Sequence, residues 1–122
     1  MDKKFCVNLT CAKDNADKAT VAFVVATAAV ASDKETVVFL STEAVRLATP
    51  EYAADIHEEG FAPLAQLMDA FAAAGGKIYV CSPCFKKRGL NEERVIPGAV
   101  MVGGAKLVEC LSTEGGSPSI SY

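Results

Sequence analysis

Short continuous apolar runs alternate with longer apolar stretches of helical period from one end of the chain to the other. Residues 4–10 (Lys-Phe-Cys-Val-Asn-Leu-Thr) predict a first strand. Residues 12–16 are polar and predict a turn. Asp14 and Asn15 are its cap candidates, because their short side chains accept hydrogen bonds from the first free amides of a helix. The helix that follows runs to about Ser32. It is apolar nearly all round, as suits a helix covered by a sheet on one side and by a helix or another subunit on the other. Residues 35–41 carry Val37-Val38-Phe39-Leu40, and such an unbroken run marks a strand buried on both faces of a parallel sheet.

Residues 42–60 mix Pro50, acidic side chains and His57, and predict a loop holding a short helix. Pro63 falls in the first turn of the next helix, where a missing N–H is tolerated. Leu64, Leu67, Met68 and Phe71 follow at helical spacing, and Gly75-Gly76 stops the helix. Residues 77–81 predict a third strand, and a short helix follows Pro83 and ends near Gly89. Pro97-Gly98 precedes a fourth strand at 99–102. Gly103-Gly104 then turns into a last helix in which Leu107, Cys110 and Leu111 share a face. The tail, with Gly115-Gly116 and Pro118, ends in Ile120-Ser121-Tyr122, a short fifth strand. Alternating strands and helices predict a three-layer α/β/α fold with a mainly parallel sheet. At 122 residues, with no repeat or linker, the chain reads as one domain over 1–122.

Composition narrows the picture. Half the residues are hydrophobic, mostly Ala and Val, which leaves apolar surface to spare in so small a domain and predicts self-association. A net charge of −3 with no basic arm argues against a nucleic-acid surface. No apolar stretch reaches the roughly 20 residues that span a bilayer, and the longest, 19–31, reads as a buried helix. Met1-Asp2-Lys3-Lys4 resembles a signal n-region, but the apolar stretch after it is broken by Asn8 and ends at Lys13-Asp14. The expected location is the cytoplasm. Five cysteines, an odd count, then point to free thiols, a metal site or catalysis rather than to a disulfide framework.

Chemistry concentrates where the third strand runs out, at Cys81-Ser82-Pro83-Cys84 followed by Phe85-Lys86-Lys87-Arg88-Gly89. A thiol between a strand end and a helix start meets backbone N–H groups and the positive end of the helix. Lys86, Lys87 and Arg88 add positive charge within two turns. All of this favours thiolate, the species that does sulfur chemistry. Cys81 is therefore the candidate nucleophile, and Cys84, at the spacing of dithiol redox sites, a candidate resolving thiol. Sites in open parallel sheets lie beyond the carboxyl ends of the strands. Residues 10–13 and 41–43 should collect at that edge with 81–84, which makes Cys11 a further candidate for the same pocket. Lys86, Lys87 and Arg88 read either as anion binders or as a solvated helix face. Cys6 and Cys110 read as core and His57 as a surface residue. One C-x-x-C supplies only two of the four ligands a structural zinc needs, and no Walker lysine follows a glycine turn, so neither a metal nor a nucleotide is expected.

These residues give the chain its resemblance to the DsrE/DsrF-like sulfur-relay proteins, including their TusD-type subunits. The resemblance spans nearly the whole length and is strongest over Ile78-Tyr79-Val80-Cys81 and Lys87-Arg88-Gly89. It implies a five-stranded parallel sheet between helices, assembly into trimers or hexamers, and no cofactor. Cys81 falls on the family's single cysteine, which accepts sulfur as a persulfide and hands it on, and Arg88-Gly89 falls on the pair that closes its short helix. Cys84 is additional to that pattern. It would be placed to attack a persulfide on Cys81, releasing sulfide and leaving a disulfide.

The leading reading is thus a sulfur-transfer protein carrying sulfane sulfur on Cys81, with a persulfide or polysulfide donor and an acceptor thiol on a partner. Two alternatives stand beside it: a thiol-disulfide oxidoreductase using Cys81 and Cys84, and a non-catalytic module whose apolar helices build an oligomer.

Overall fold

The structure is a computed structural model that describes residues 4–112 and 116–122. Met1-Asp2-Lys3 and Gly115, the latter half of the expected tail turn, lie outside the described residues. Five strands, β1 (Lys4–Leu9), β2 (Glu35–Leu40), β3 (Lys77–Cys81), β4 (Ala99–Val102) and β5 (Ser119–Ser121), form one sheet in the order β4-β3-β2-β1-β5. Every pairing is parallel. Four α-helices, α1 (Ala16–Ala31), α2 (Leu64–Ala73), α3 (Ser82–Lys87) and α4 (Gly104–Leu111), fall between the strands. The expected α/β architecture holds, and the element boundaries agree to within a residue or two.

Pleating decides what each side of the sheet buries. In register, Val7 lies beside Val38 and Val38 beside Ile78, while Leu9 lies beside Leu40 and Leu40 beside Val80. These residues share one face, because side chains alternate along a strand and paired residues point the same way. They join α1 and α2 in the main core through Ala19, Ala22, Phe23, Leu64, Met68 and Phe71. Phe23 and Phe71 meet edge to face, with ring centroids 5.7 Å apart. Ala on α1 lets the helix approach the sheet closely, and α2 packs beside it against the same core. Thr20 and Thr27 keep their hydroxyls satisfied by donating to the carbonyls of Ala16 and Phe23. Gly76 has no alternative, since a Cβ there would run into the Phe71 ring.

The opposite face is thinner. Cys6 and Val37 pack there with Cys110 of α4, joined by Tyr79 and Leu111. Cys6 and Cys110 are both buried, as expected of core thiols. No described helix is long and apolar enough to cross a membrane.

The strand ends are followed by tight turns that build the site. Asn15 caps α1, its side-chain oxygen accepting from the Lys18 amide at 3.1 Å, and Asp14 accepts from the Ala12 amide at 2.7 Å. Instead of one short helix, residues 42–60 hold two 3-10 segments, Thr42–Ala48 and Ala53–Asp55. Pro63 is the cap of α2, one position before its first helical residue.

Candidate functional site: a thiol pair at the carboxyl edge of the sheet

Three loops meet beyond the carboxyl ends of β1, β2 and β3. The Ser41 amide donates to the Leu9 carbonyl at 3.0 Å, and the Thr42 hydroxyl donates to the Thr10 carbonyl at 2.6 Å. Arg88 Nε, just past α3, donates to Glu43 Oε2 at 2.6 Å. The segments that the sequence places at this edge are therefore physically joined.

Cys81 ends β3 in an extended conformation at the cap position of α3. Cys84 lies one turn further on. Both are partly exposed free thiols, and they are in contact with one another. The pair titrates as a unit, so its first proton leaves one shared negative charge. The surroundings favour Cys84 over Cys81 as the seat of that charge. Burial opposes it, but the Thr42 backbone N–H, the Cys81 thiol, and the Arg88 and Lys87 cations outweigh burial and hold the Cys84 thiol below the ordinary range. Cys81 goes the other way. Burial and its hydrogen bond to Cys84 push its thiol up, against the nearby Cys84 amide and Arg88. The sequence favours Cys81 as the anionic sulfur; in the structure an amide from a different loop, that of Thr42, stands on the side of Cys84.

Arg88 is held firmly. Its side chain is only 16% exposed, its Nε bonds Glu43, and a terminal nitrogen of its guanidinium donates to the Cys84 carbonyl at 3.1 Å. Glu43 accepts from a second arginine too, Arg46 Nε at 2.7 Å. The two guanidinium groups, Arg88 first and Arg46 second, hold the Glu43 carboxyl below the usual carboxylate range. Gly89, at φ +66°, then ends the short helix in a conformation that suits glycine.

Of the remaining sequence candidates, Lys87 is exposed and contributes its charge to Cys84. Lys86 reaches the other way, 3.9 Å from Glu92 in an open ion pair. Cys11 is 7% exposed and packs in the main core, and burial, with Asp14 beside it, pushes its thiol up. His57 is exposed and its Nε2 donates to the Phe61 carbonyl at 2.8 Å.

Two site residues are missing from the sequence reading. Glu43 lies within a segment that the reading brings to this edge, but its arginine partners are not evident there, since Arg88 is 45 residues away. Arg46 carries only a local signal, its i,i+3 spacing from Glu43. Thr42 is unusual in its backbone: φ is +50°, in the left-handed region, where a β-branched residue costs roughly 1–3 kcal/mol.

A parallel α/β sheet with a cysteine closing its third strand and an Arg-Gly pair closing the next helix defines a class, and comparison with known proteins agrees. The chain belongs to the DsrE/DsrF-like family, which it matches over residues 3–115. Proteins of this family are generally involved in sulfur relay. It is 29% identical over 112 residues to the protein MJ0760 of Methanocaldococcus jannaschii, a match covering 92% of this chain; the chain spans 40% of that relative's length. Among solved structures it is similar to YchN of E. coli, with a TM-score of 0.79 at 18% identity over the full length of both. MTH1491 of Methanobacterium thermoautotrophicum gives 0.69 at 13% identity, covering 99% of this chain and all of that one. At such identities the likeness to the solved structures is one of fold.

Proposed function

We propose that the chain transfers sulfane sulfur through the Cys81/Cys84 pair, with sulfur taken up on Cys84. The observation that carries this reading is the contact between two partly exposed thiols, with a backbone amide and two cations beside Cys84. Cys84 thiolate attacks the outer sulfur of a donor persulfide or polysulfide. A new S–S bond forms at Cys84, and the bond to the donor's inner sulfur breaks, leaving the donor as a thiolate. The product is a hydropersulfide, more acidic than a thiol. It rests as an anion against the groups that favoured the thiolate.

Two exits follow. An acceptor thiolate on a partner attacks the outer sulfur and restores Cys84 thiolate. Otherwise Cys81, still a thiol, attacks the inner sulfur of Cys84, its proton leaving with the outer one. A Cys81–Cys84 disulfide forms and HS⁻ departs, so two thiols are oxidised as one sulfane sulfur is reduced. Neither exit calls on a metal or organic cofactor. The chemistry suits a reducing compartment such as the cytoplasm, where five free thiols persist. Exposed Val100, Val108 and Ile120 fit self-association, as in the trimers and hexamers of the family.

Contact between the two thiols also favours the dithiol oxidoreductase reading, and one experiment separates the two. The protein is incubated with polysulfide and its intact mass measured. Sulfur transfer predicts added mass of ~32 Da per sulfur, lost in Cys84→Ser and retained, without conversion to disulfide, in Cys81→Ser. A two-proton mass loss with no sulfur ever added would favour the oxidoreductase. No mass change in the wild type, or a gain untouched by Cys84→Ser, would overturn the proposal.

A further inference from the structure

We propose that Thr42 is a positioning residue: its hydroxyl locks the turn after β2, keeps the Thr42 backbone N–H against Cys84 and so holds the anion of the site in place. The proposal rests on Cys84 as the anionic sulfur. It assigns a role to a residue that touches neither donor nor acceptor.

Three features of residues 41–43 fit together only under this reading. The first is conformational. A strand that simply ran into a 3-10 turn would keep Thr42 in an ordinary region, yet its φ is +50°, where β-branched residues are outliers. Such strain persists only where its surroundings enforce it.

The second is the lock. The Thr42 hydroxyl lies 2.6 Å from the Thr10 carbonyl and 2.7 Å from the Ser41 carbonyl. With one proton it donates to one of them at a time. Both bonds hold the same turn, the first by tying it to the β1 loop. The Thr10 carbonyl does not drift, because the Thr10 amide and hydroxyl are themselves bonded to the Tyr122 carbonyl, at 3.0 and 2.8 Å. Glycine would take this φ without strain but has no hydroxyl to hold it.

The third is placement. The Thr42 N–H lies within reach of Cys84 on α3, while the next residue, Glu43, ties the same turn to α3 through Arg88 at 2.6 Å. The turn is thus clamped on both sides, by a hydroxyl behind it and an ion pair in front. A fixed amide aimed at a charge needs no reorganisation when that charge appears. The other groups around Cys84 are Cys81, Lys87 and Arg88 on its own side, with Glu43 and Arg46 behind Arg88.

The test follows the iodoacetamide alkylation rate of Cys84 against pH in a Cys81→Ser background, with Thr42 intact, Thr42→Ser, Thr42→Ala and Thr42→Gly. The low-pH alkylation rate is expected to fall on the order of tenfold in Thr42→Ala and Thr42→Gly, the equivalent of about one pH unit in midpoint. Thr42→Ser, which keeps the hydroxyl, is expected to stay within about twofold of the intact protein. Thr42→Gly guards against misfolding, since glycine relieves the strain. An unchanged profile in Thr42→Gly, or a Thr42→Ser shift as large as that of Thr42→Ala, would overturn the proposal. Alkylation reads the thiolate whether or not sulfur is transferred, so an absence of polysulfide loading with these shifts intact would refute the sulfur-transfer function alone.

Discussion

Cys81 caps α3 and Cys84 lies one turn inside it, yet their thiols are shifted in opposite directions, and their neighbours explain why. Cys84 collects an amide from another loop and two cations; Cys81 is its donor and carries the burial cost. Arg88→Gln should therefore raise the pH at which Cys84 alkylates, whereas Lys86→Gln, which removes a charge held toward Glu92, should leave it unchanged. Equal shifts in the two variants would mean that the cations act only as a diffuse field. Glu43 supplies a second residue-scale prediction. Its depressed carboxyl contributes stability that is fully present above the ordinary carboxylate pKa, about 4, and is lost as pH falls through the lower folded value. Thermal unfolding midpoints of the wild type should fall on acidification below about pH 4, and those of Glu43→Gln should fall less. The Glu43 side chain is about a third exposed, at 35%, so solvent screens its pairs and the effect should be modest.

Helices and strands were legible wherever the apolar pattern was long or unbroken. Val37-Val38-Phe39-Leu40 could only be a doubly buried strand, and Gly75-Gly76 ended α2 where expected. The turn after β2 was not legible. Its residues are polar, its helical segment is 3-10, and the left-handed Thr42 is set by partners on two other loops. For the same reason the sequence brings the two thiols to this edge but gives no sign of the Thr42 amide beside Cys84. The core permits a sharper test at this scale. Phe71 fills the space between α1 and the strand start at Gly76, touching Phe23. Phe71→Ala should cost about 3–5 kcal/mol in denaturant unfolding. Gly76→Ala should also lower stability, because its methyl group would displace the same ring. A neutral Gly76→Ala would mean that the ring has room to move.

Taken whole, the molecule has one well-covered sheet face and one thin face closed by a single short helix. Val108 on α4 is 63% exposed and Val100 on β4 50%, on a small domain whose composition leaves apolar surface to spare. Sedimentation should accordingly give a mass above that of one chain, and a monomer at every concentration would contradict the assembly reading. Within the chain, β3 and α3 supply the thiols, Lys87 and Arg88 their cations, and the turn after β2, tied to the turn after β1, the Thr42 amide. The most direct test of that arrangement is a pH titration of thiolate ultraviolet absorbance in the wild type, Cys81→Ser and Cys84→Ser. The account predicts one early thiolate step, below the ordinary thiol range of about 8.5, that survives in Cys81→Ser and disappears in Cys84→Ser. An early step that survives in Cys84→Ser and disappears in Cys81→Ser would contradict it.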